Sequence, residues 1–371
     1  MCPAGRVMNL KKLKKHLVHW FAGQSPNIVG IDIGTGQVKA AELSLHSGHP
    51  ILKAAGLIDL PEHVVEDGYV FEREALADSI RRLLATSGIS SRDVVVAVAG
   101  RAVFVREIIF PVMTKEELKA AVRWDMEKYV PYEPDSYYYD FAVIGPGKDE
   151  AELKVLLVAA PHELVNTLAD ALAAAGCKLL AIDIEPLAVF RTLHDVKNTM
   201  VIDIGTTISQ ISVFQDESPA VTRLIPIGGR KFTEVIMQTT GLEYPEAERL
   251  KQQTGMLKYR DLKGELSMAH QRLQLLASEL GREVERTVEY YQAQNRETVL
   301  DRIYLTGGGS KLDNLPEYLA AQLGDIQVLR HNPLSVLTPA ASLDREYLHG
   351  LAPQLAVAIG LALHGGMDVN Y

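Results

Sequence analysis

A chain of 371 residues, 47% apolar and 23% charged, has room for a substantial core and reads as a folded protein of two to three domains. Its formal net charge of −9 argues against a general nucleic-acid binder, which needs a basic face. Two cysteines, Cys2 and Cys177, cannot build a disulfide framework and stand in no metal-ligand spacing, so a reducing compartment is the simplest reading.

In chain order, residues 1–26 come first. They carry no acid but hold Arg6, Lys11, Lys12, Lys14 and Lys15, with Leu10, Leu13, Leu17 and Phe21 at helical spacing. Two readings stand: a short basic helix lying on an anionic membrane face, or a solvated leader. The stretch is too short and too lysine-broken for a signal peptide, and no apolar run approaches the roughly 20 residues of a membrane span.

Residues 28–43, IVGIDIGTGQVKAAEL, read as strand, Gly-x-Gly turn, strand. A dinucleotide-binding loop needs a third glycine at position 39 and a helix behind it. Lys39 stands there, and Val38, Ala40 and Leu43 interleave with polar residues as in a strand. Short strands over 51–58, a helix over 72–87 and the strand DVVVAVAG follow. Residues 102–111 read as a strand pair ending at Pro111. Thr114 with Glu117 three residues on is a capping box that opens a helix. DSYYYDFAVIG and ELKVLLVAAP read as strands, 163–175 as a helix closed by Gly176, and LLAIDIEPLAVFRTL as a strand running into a helix.

Residues 200–214, MVIDIGTTISQISVF, then repeat the opening pattern once. One distant repeat indicates a duplicated domain rather than a solenoid. Residues 229–297 read as mostly helical, and Leu273, Leu276, Leu280, Val284, Val288 and Tyr291 form one apolar stripe that packing alone explains. YLTGGGSKL at 304–312 reads as strand, glycine turn and a helix from about Ser310. The fold class is α/β. The expected divisions are a basic leader at 1–26, a first domain at 27–198 with an inserted subdomain about 102–177, and a second at 199–371 with an inserted helical subdomain about 229–297.

The chemistry sits in three loops. A strand–turn–strand loop binds phosphate when successive N–H groups point inward, and glycines permit the close approach. Two such hairpins facing each other clamp one polyphosphate. Asp32 and Asp203 end the first strands of their hairpins and suit Mg²⁺ held through its waters. Thr35, Thr206 and Thr207 offer hydroxyls to phosphate, and Lys39 a point charge. Each loop alone is as well explained by a plain hairpin. An acid ending a buried strand twice, in matched positions, is harder to dismiss, because an unpaired buried carboxylate is costly. The bare backbone at Gly307, Gly308 and Gly309 suits a nucleotide's flat face or α-phosphate beside a helix N-terminus.

These motifs resemble the actin-like ATPase superfamily, which includes actin, DnaK-type chaperones, sugar kinases, MreB, FtsA and PilM; the resemblance implies duplicated, ribonuclease H-like domains. Asp32-Ile-Gly-Thr-Gly-Gln-Val-Lys39 looks like its first phosphate loop, with Gly34 and Gly36, and Asp203-Ile-Gly-Thr-Thr, with Gly205, like its second. Leu305-Thr-Gly-Gly-Gly309 looks like its adenosine loop. The resemblance implies ATP and Mg²⁺ as cofactors. In IDIEPLAVFRT, which resembles the first connecting helix, it implies that Glu185 orients the attacking water. LAVAIGLAL at 355–363 resembles the second connecting helix. AERLK at 247–251 resembles a ribose-contacting segment, placing Glu248 and Lys251 near the sugar.

Within the superfamily the chain resembles the PilM family from residue 27 onward, through VVVAVAGRAVFVREIIFP, EELKAAVRWDMEKYVPYEPDSYYYDFAVIG, VLLVAAPHELVNTLADALAAAGCKLLAIDIEP and ELGREVERTVEYYQAQ. FtsA ends in a membrane-binding helix, which HGGMDVNY cannot form. The resemblance implies a cytoplasmic protein, peripheral at the inner membrane, that works in type IV pilus assembly with other inner-membrane and motor components. It implies docking of the short cytoplasmic N-terminal peptide of PilN. Trp124, Tyr129, Tyr132 and Tyr137 to Tyr139 are a candidate groove wall; insertion-domain core explains them equally. Membrane contact is then indirect, or through the basic leader. Thr206, Thr207 and Ile208 stand where MreB and FtsA have consecutive glycines, which implies ATP binding with slow or absent hydrolysis. Three other readings remain: an FtsA- or MreB-like filament former, a sugar or acid kinase on the same fold, and a scaffold with a relict loop set.

Overall fold

The computed structural model describes residues 27–45, 49–147, 149–194, 197–215, 218–254, 264–294 and 299–364. The basic leader and the closing residues 365–371, both read above for membrane contact, lie outside these. The chain forms two compact units, one from residues 1–192, 334–348 and 357–371, the other from 193–333 and 349–356.

The first unit opens with a meander of β1 (Asn27–Ile33), β2 (Gln37–Ser44) and β3 (Ile51–Asp59). A minimal hairpin, β4 (Val65–Glu66) and β5 (Tyr69–Val70), leads into α1 (Arg73–Thr86), which returns the chain to β6 (Asp93–Val98). β1 pairs antiparallel with β2 and parallel with β6. Flanked on both sides, it is buried without a break from Ile28 to Asp32, so the run is apolar rather than alternating.

The chain then leaves this sheet through β7 (Phe104–Pro111), α2 (Lys115–Tyr129), β8 (Tyr137–Pro146) and β9 (Glu152–Pro161). The three strands form their own antiparallel sheet in the order β7-β9-β8, with its own core around Phe110, Leu118, Val122, Phe141 and Leu157. The capping box expected at Thr114 and Glu117 opens α2. Residues 102–111, expected as a strand pair, form the single strand β7, because the chain is still turning at Val103, whose N–H donates to Gly100 O at 3.2 Å. α3 (His162–Ala174) buries Leu164, Leu168 and Leu172 in the main sheet's core, not in that of the excursion. β10 (Lys178–Ile184) joins β6 in parallel and runs into α4 (Glu185–Arg191).

The second unit repeats the plan. β11 (Asn198–Ile204), β12 (Ser209–Gln215) and β13 (Ser218–Ile225) form a meander. Helices α5 (Gly229–Thr240), α6 (Tyr244–Thr254) and α7 (Glu265–Gln294) follow, then β14 (Arg302–Thr306), α8 (Leu315–Leu323) and β15 (Gln327–Arg330). The sheet order β13-β12-β11-β14-β15 matches β3-β2-β1-β6-β10 of the first unit, strand for strand and direction for direction. The α7 stripe from Leu273 to Tyr291 packs into the same core as Met200, Ile202 and Leu305, so these helices form a layer on the sheet and have no separate core. No α-helix starts at Ser310. A 3-10 turn spans Gly308–Lys311, and α8 waits until Leu315 because Asn314, at φ 60°, interrupts the helical path.

The chain ends with β16 (Thr338–Pro339), α9 (Arg345–Leu351) and α10 (Ala356–His364). β16 adds to β3 in parallel. α10 packs backbone to backbone: a Cβ on Gly30 of β1 would lie 1.9 Å from Ala358 O, and one on Gly360 would lie 1.8 Å from Ala188 O of α4. These contacts explain why most of the chain beyond residue 333 joins the first unit, where sequence order alone had put it in the second. Among the described residues no helix is long and apolar enough to cross a membrane.

Candidate functional site

The first hairpin closes where Gly34 N–H donates to Gln37 O at 3.0 Å. Its register sets Asp32 opposite Lys39. Opposed residues of an antiparallel pair share a face, and Lys39 Nζ lies 3.0 Å from Asp32 Oδ2 with both side chains largely buried. The lysine thus neutralises an acid that a buried strand end could not otherwise hold. Thr35 and Gly36 complete the turn, and the Lys39 ammonium lies 3.2 Å from where a Cβ on Gly34 would be. Glu185 is the first residue of α4, directly after β10. β1, β6 and β10 run parallel, with Ile31, Val96 and Ile182 level. Asp32 and Glu185 therefore emerge at the same carboxyl edge, two strand spacings or about 10 Å apart. Ligands of open α/β sheets bind outside that edge.

The second hairpin has the same construction. Gly205 N–H donates to Ile208 O at 3.0 Å, and Asp203 stands opposite Gln210. Both acids face the residue seven positions on, but the cation of the first hairpin is an amide in the second. The loop carbonyls of Gly205 and Thr206 accept from the N–H groups of Gly229 and Arg230, each at 2.8 Å, which ties the start of α5 under the loop. Thr207 follows Thr206 in the same turn.

The glycine run after β14 closes on this hairpin. Gly307 has φ +77°, and a Cβ there would lie 2.2 Å from Asp203 Oδ1. Only glycine lets the backbone pass the carboxylate in that conformation. Gly308 opens the following turn, and Gly309 is pressed against Ile204. Thr306 Oγ1 and Gly307 N–H both donate to Pro353 O, at 2.7 and 2.9 Å, which fixes the loop's base. Glu248 and Lys251, on α6, reach the same place: Lys251 Nζ donates to Gly229 O at 3.1 Å and to Glu248 Oε2 at 2.7 Å. A Cβ built on Gly229 would lie 3.6 Å from Gly205 O, 3.7 Å from Lys251 Nζ and 3.9 Å from Gly309 Cα.

The second unit therefore brings together Asp203, Gly205 to Thr207, Glu248, Lys251 and Gly307 to Gly309. The first unit brings together Asp32, Gly34 to Gly36 and Lys39, with Glu185 two strands away. Sequence reading passed over Gly229 and Thr233, which join the second set. The signal was present as Gly228-Gly229-Arg230-Lys231, a glycine pair opening a helix.

The aromatic residues of the excursion divide. Tyr129, Tyr132 and Tyr137 pack against its core, whereas Trp124 is 81% exposed and Tyr138 and Tyr139 are about 40% exposed.

A family model described as "Type IV pilus assembly protein PilM" matches residues 30–366. Among curated proteins, the cell division protein FtsA of Bacillus subtilis (strain 168) is 26% identical over 267 residues, a match covering 62% of this chain and 58% of FtsA. The chain thus spans little more than half of that relative's length. A solved structure described as the "PilM-PilN type IV pilus biogenesis complex" is 29% identical with a TM-score of 0.80, covering 92% of this chain and 99% of the other. MreB5 of Spiroplasma citri, solved bound to ADP, shares the fold at 13% identity with a TM-score of 0.50, covering 91% of this chain and 95% of MreB5. With its two matching sheets, the fold is the duplicated actin-like one, and the chain belongs to the type IV pilus assembly protein PilM family.

Proposed function

We propose that this protein is a nucleotide-binding component of type IV pilus assembly, which takes Mg-ATP on its glycine loops and docks the N-terminal cytoplasmic peptide of a PilN-like inner-membrane protein. The observation that carries the nucleotide half is the pair of acid-tipped hairpins with the same seven-residue offset, Asp32 to Lys39 and Asp203 to Gln210. The likeness to a PilM–PilN complex supports the partner half.

The donor set suits these ligands. Among the described residues no cluster of three or more His, Cys, Asp or Glu side chains could cage a metal. Magnesium does not need one, since it takes one or two carboxylates and completes its shell with water and phosphate oxygens. Asp32 in the first unit and Asp203 in the second are each a carboxylate of that kind, and Lys39, 3.0 Å from Asp32, offers a cation to a phosphate. Gly34, Thr35, Gly36, Gly205, Thr206 and Thr207 present N–H and hydroxyl donors to the phosphates. Gly307 to Gly309 receive the base side, and Glu248 and Lys251 the sugar. Glu185 is the residue to orient a water for hydrolysis. Side chains at Thr206, Thr207 and Ile208 keep the second loop's backbone farther from the terminal phosphate than glycines do, which favours binding over rapid turnover.

In this reading the occupied site biases the affinity for the peptide, and by linkage the peptide biases the affinity for nucleotide. The protein then sits at the inner membrane through its partner. Calorimetry with ATP and ADP, with and without Mg²⁺, tests the first half; no binding under any condition overturns it. Asp32→Ala and Asp203→Ala are expected to remove the Mg²⁺ dependence. A pull-down with PilN-type N-terminal peptides tests the second half, and failure to retain the protein at any nucleotide state overturns it.

A further inference from the structure

Thr233, one turn along α5 from Gly229, is fully buried. Its Oγ1 lies 2.5 Å from Glu248 Oε2 and 3.2 Å from Gly229 O, and it accepts from Lys251 Nζ at 2.9 Å. A hydroxyl has one proton to give, and the shorter approach sends it to Glu248. The Lys251 ammonium also donates to Glu248 Oε2 and to Gly229 O, which uses all three of its N–H bonds. Here those donors are spent within the protein, and the charge serves to neutralise the carboxylate beside it, so the direct contact to a sugar hydroxyl falls to Glu248 and Lys251 lies behind it.

Glu248 is placed differently. Its Oε2 accepts from Thr233 and Lys251, and its Oε1 accepts from Gln252 Nε2 at 3.0 Å. A carboxylate has about four acceptor sites, so one remains on Oε1. Burial alone raises this carboxyl's pKa, but the charge of Lys251 and the hydrogen bonds from Lys251, Thr233 and Gln252 outweigh it and hold it below the ordinary glutamate value. An ionised carboxylate repels phosphate and accepts from a hydroxyl. Among the parts of a nucleotide, it is the sugar that suits this position.

We infer that Thr233 is a positioning residue, pinning the Glu248 carboxylate through a hydrogen bond so that its remaining acceptor site receives a hydroxyl of the nucleotide's sugar. This rests on the nucleotide reading above. Glutamate and lysine side chains lose much rotamer freedom when they are fixed. Thr233, itself locked in the helix wall, supplies that constraint before any ligand arrives.

The test is calorimetry of the full chain with Mg-ATP and with Mg-2′,3′-dideoxy-ATP, for the wild type, Thr233→Val and Thr233→Ser. The wild type prefers ATP over the dideoxy analogue by about tenfold, the worth of one charged hydrogen bond. Thr233→Val weakens ATP to about the level of the analogue and leaves the analogue's own affinity nearly unchanged, while Thr233→Ser restores the preference. If Thr233→Val does not fold, Glu248→Gln carries the same comparison. A second readout needs no nucleotide: by NMR the Glu248 carboxyl titrates at higher pH in Thr233→Val than in the wild type. Equal weakening of both nucleotides, or a wild type that binds both equally, overturns the inference and leaves nucleotide binding standing. A wild type that binds neither overturns both.

Discussion

Asp183 of β10, Arg191 of α4 and His364 of α10 form a buried polar knot in the first unit. Arg191 Nη1 lies 2.5 Å from Asp183 Oδ2 and Arg191 Nη2 lies 2.9 Å from His364 Nδ1. Burial by itself raises the Asp183 carboxyl's pKa. The Arg191 charge, then the neighbouring His364 and the hydrogen bond from Ile184 N–H, more than reverse this, leaving it well below the carboxylate range. Breaking such a pair strands a buried charge and costs about 3–5 kcal/mol, whereas replacing both partners with apolar residues is often close to neutral. The replacement is further eased because Arg191 Nε has no hydrogen-bond partner even now. Asp183→Leu alone is therefore expected to lower the first unit's melting temperature by about 10 °C, at roughly 2–4 °C per kcal/mol for a unit of this size. Asp183→Leu with Arg191→Met recovers most of that loss. Thermal unfolding followed by circular dichroism reads both. A double variant as damaged as the single one, or a single variant as stable as the wild type, refutes the argument. The pH dependence has a definite sign. The folded pKa is depressed, so the knot's contribution is complete above the unfolded carboxyl's value of about 4 and fades only as pH falls below it.

His331, buried in the second unit, has its pKa pushed down to about 4, first by burial and then by the charge of His194. A lowered histidine favours the neutral form in the fold, so stability is complete above the unfolded value near 6.5 and falls by about 3 kcal/mol between there and pH 4. Chemical denaturation across that range shows a flatter dependence for His331→Gln; an unchanged slope argues against His331 as its source. Gly307→Ala drives a methyl into Asp203 Oδ1 and forces alanine into a glycine-only conformation, costing at least about 1–3 kcal/mol. Calorimetry is expected to show lost nucleotide affinity, and a variant of wild-type stability and affinity refutes the loop's tight seating. Thr114→Ala removes the hydroxyl that accepts from Glu117 N–H at the start of α2 and leaves the other half of the capping box, the backbone N–H of residue 114 donating to Glu117 Oε2, in place. It lowers stability by about 1 kcal/mol in a denaturant titration, and no measurable change refutes the cap's contribution.

Local chemistry determined much of this protein without help. The apolar runs before Asp32 and Asp203 had to be central strands, because only strands paired on both sides bury every residue. The glycine–threonine turns after them had to be hairpins, because the alternation resumes at once, and the seven-residue offset from each acid placed its cross-strand partner. The α7 stripe from Leu273 to Tyr291 and the Thr114 cap followed from helical spacing and backbone satisfaction. Other features depended on partners on other elements, which no local pattern encodes. Nothing near Gly30 indicates that it must admit Ala358 of α10, so the return of the chain's end to the first unit was invisible. α3 chose the main sheet over the excursion through the fit of Leu164 and Leu168, which an apolar stripe alone cannot reveal. Thr233 read as an ordinary helix residue until α6 brought Glu248 and Lys251 against it. Sequence determines which faces must be buried and which turns must bend, since those costs are local. Tertiary structure alone decided which surfaces meet, because that choice rests on shape complementarity between separate elements, whether fifteen residues apart, as Thr233 and Glu248 are, or at opposite ends of the chain, as Gly30 and Ala358 are.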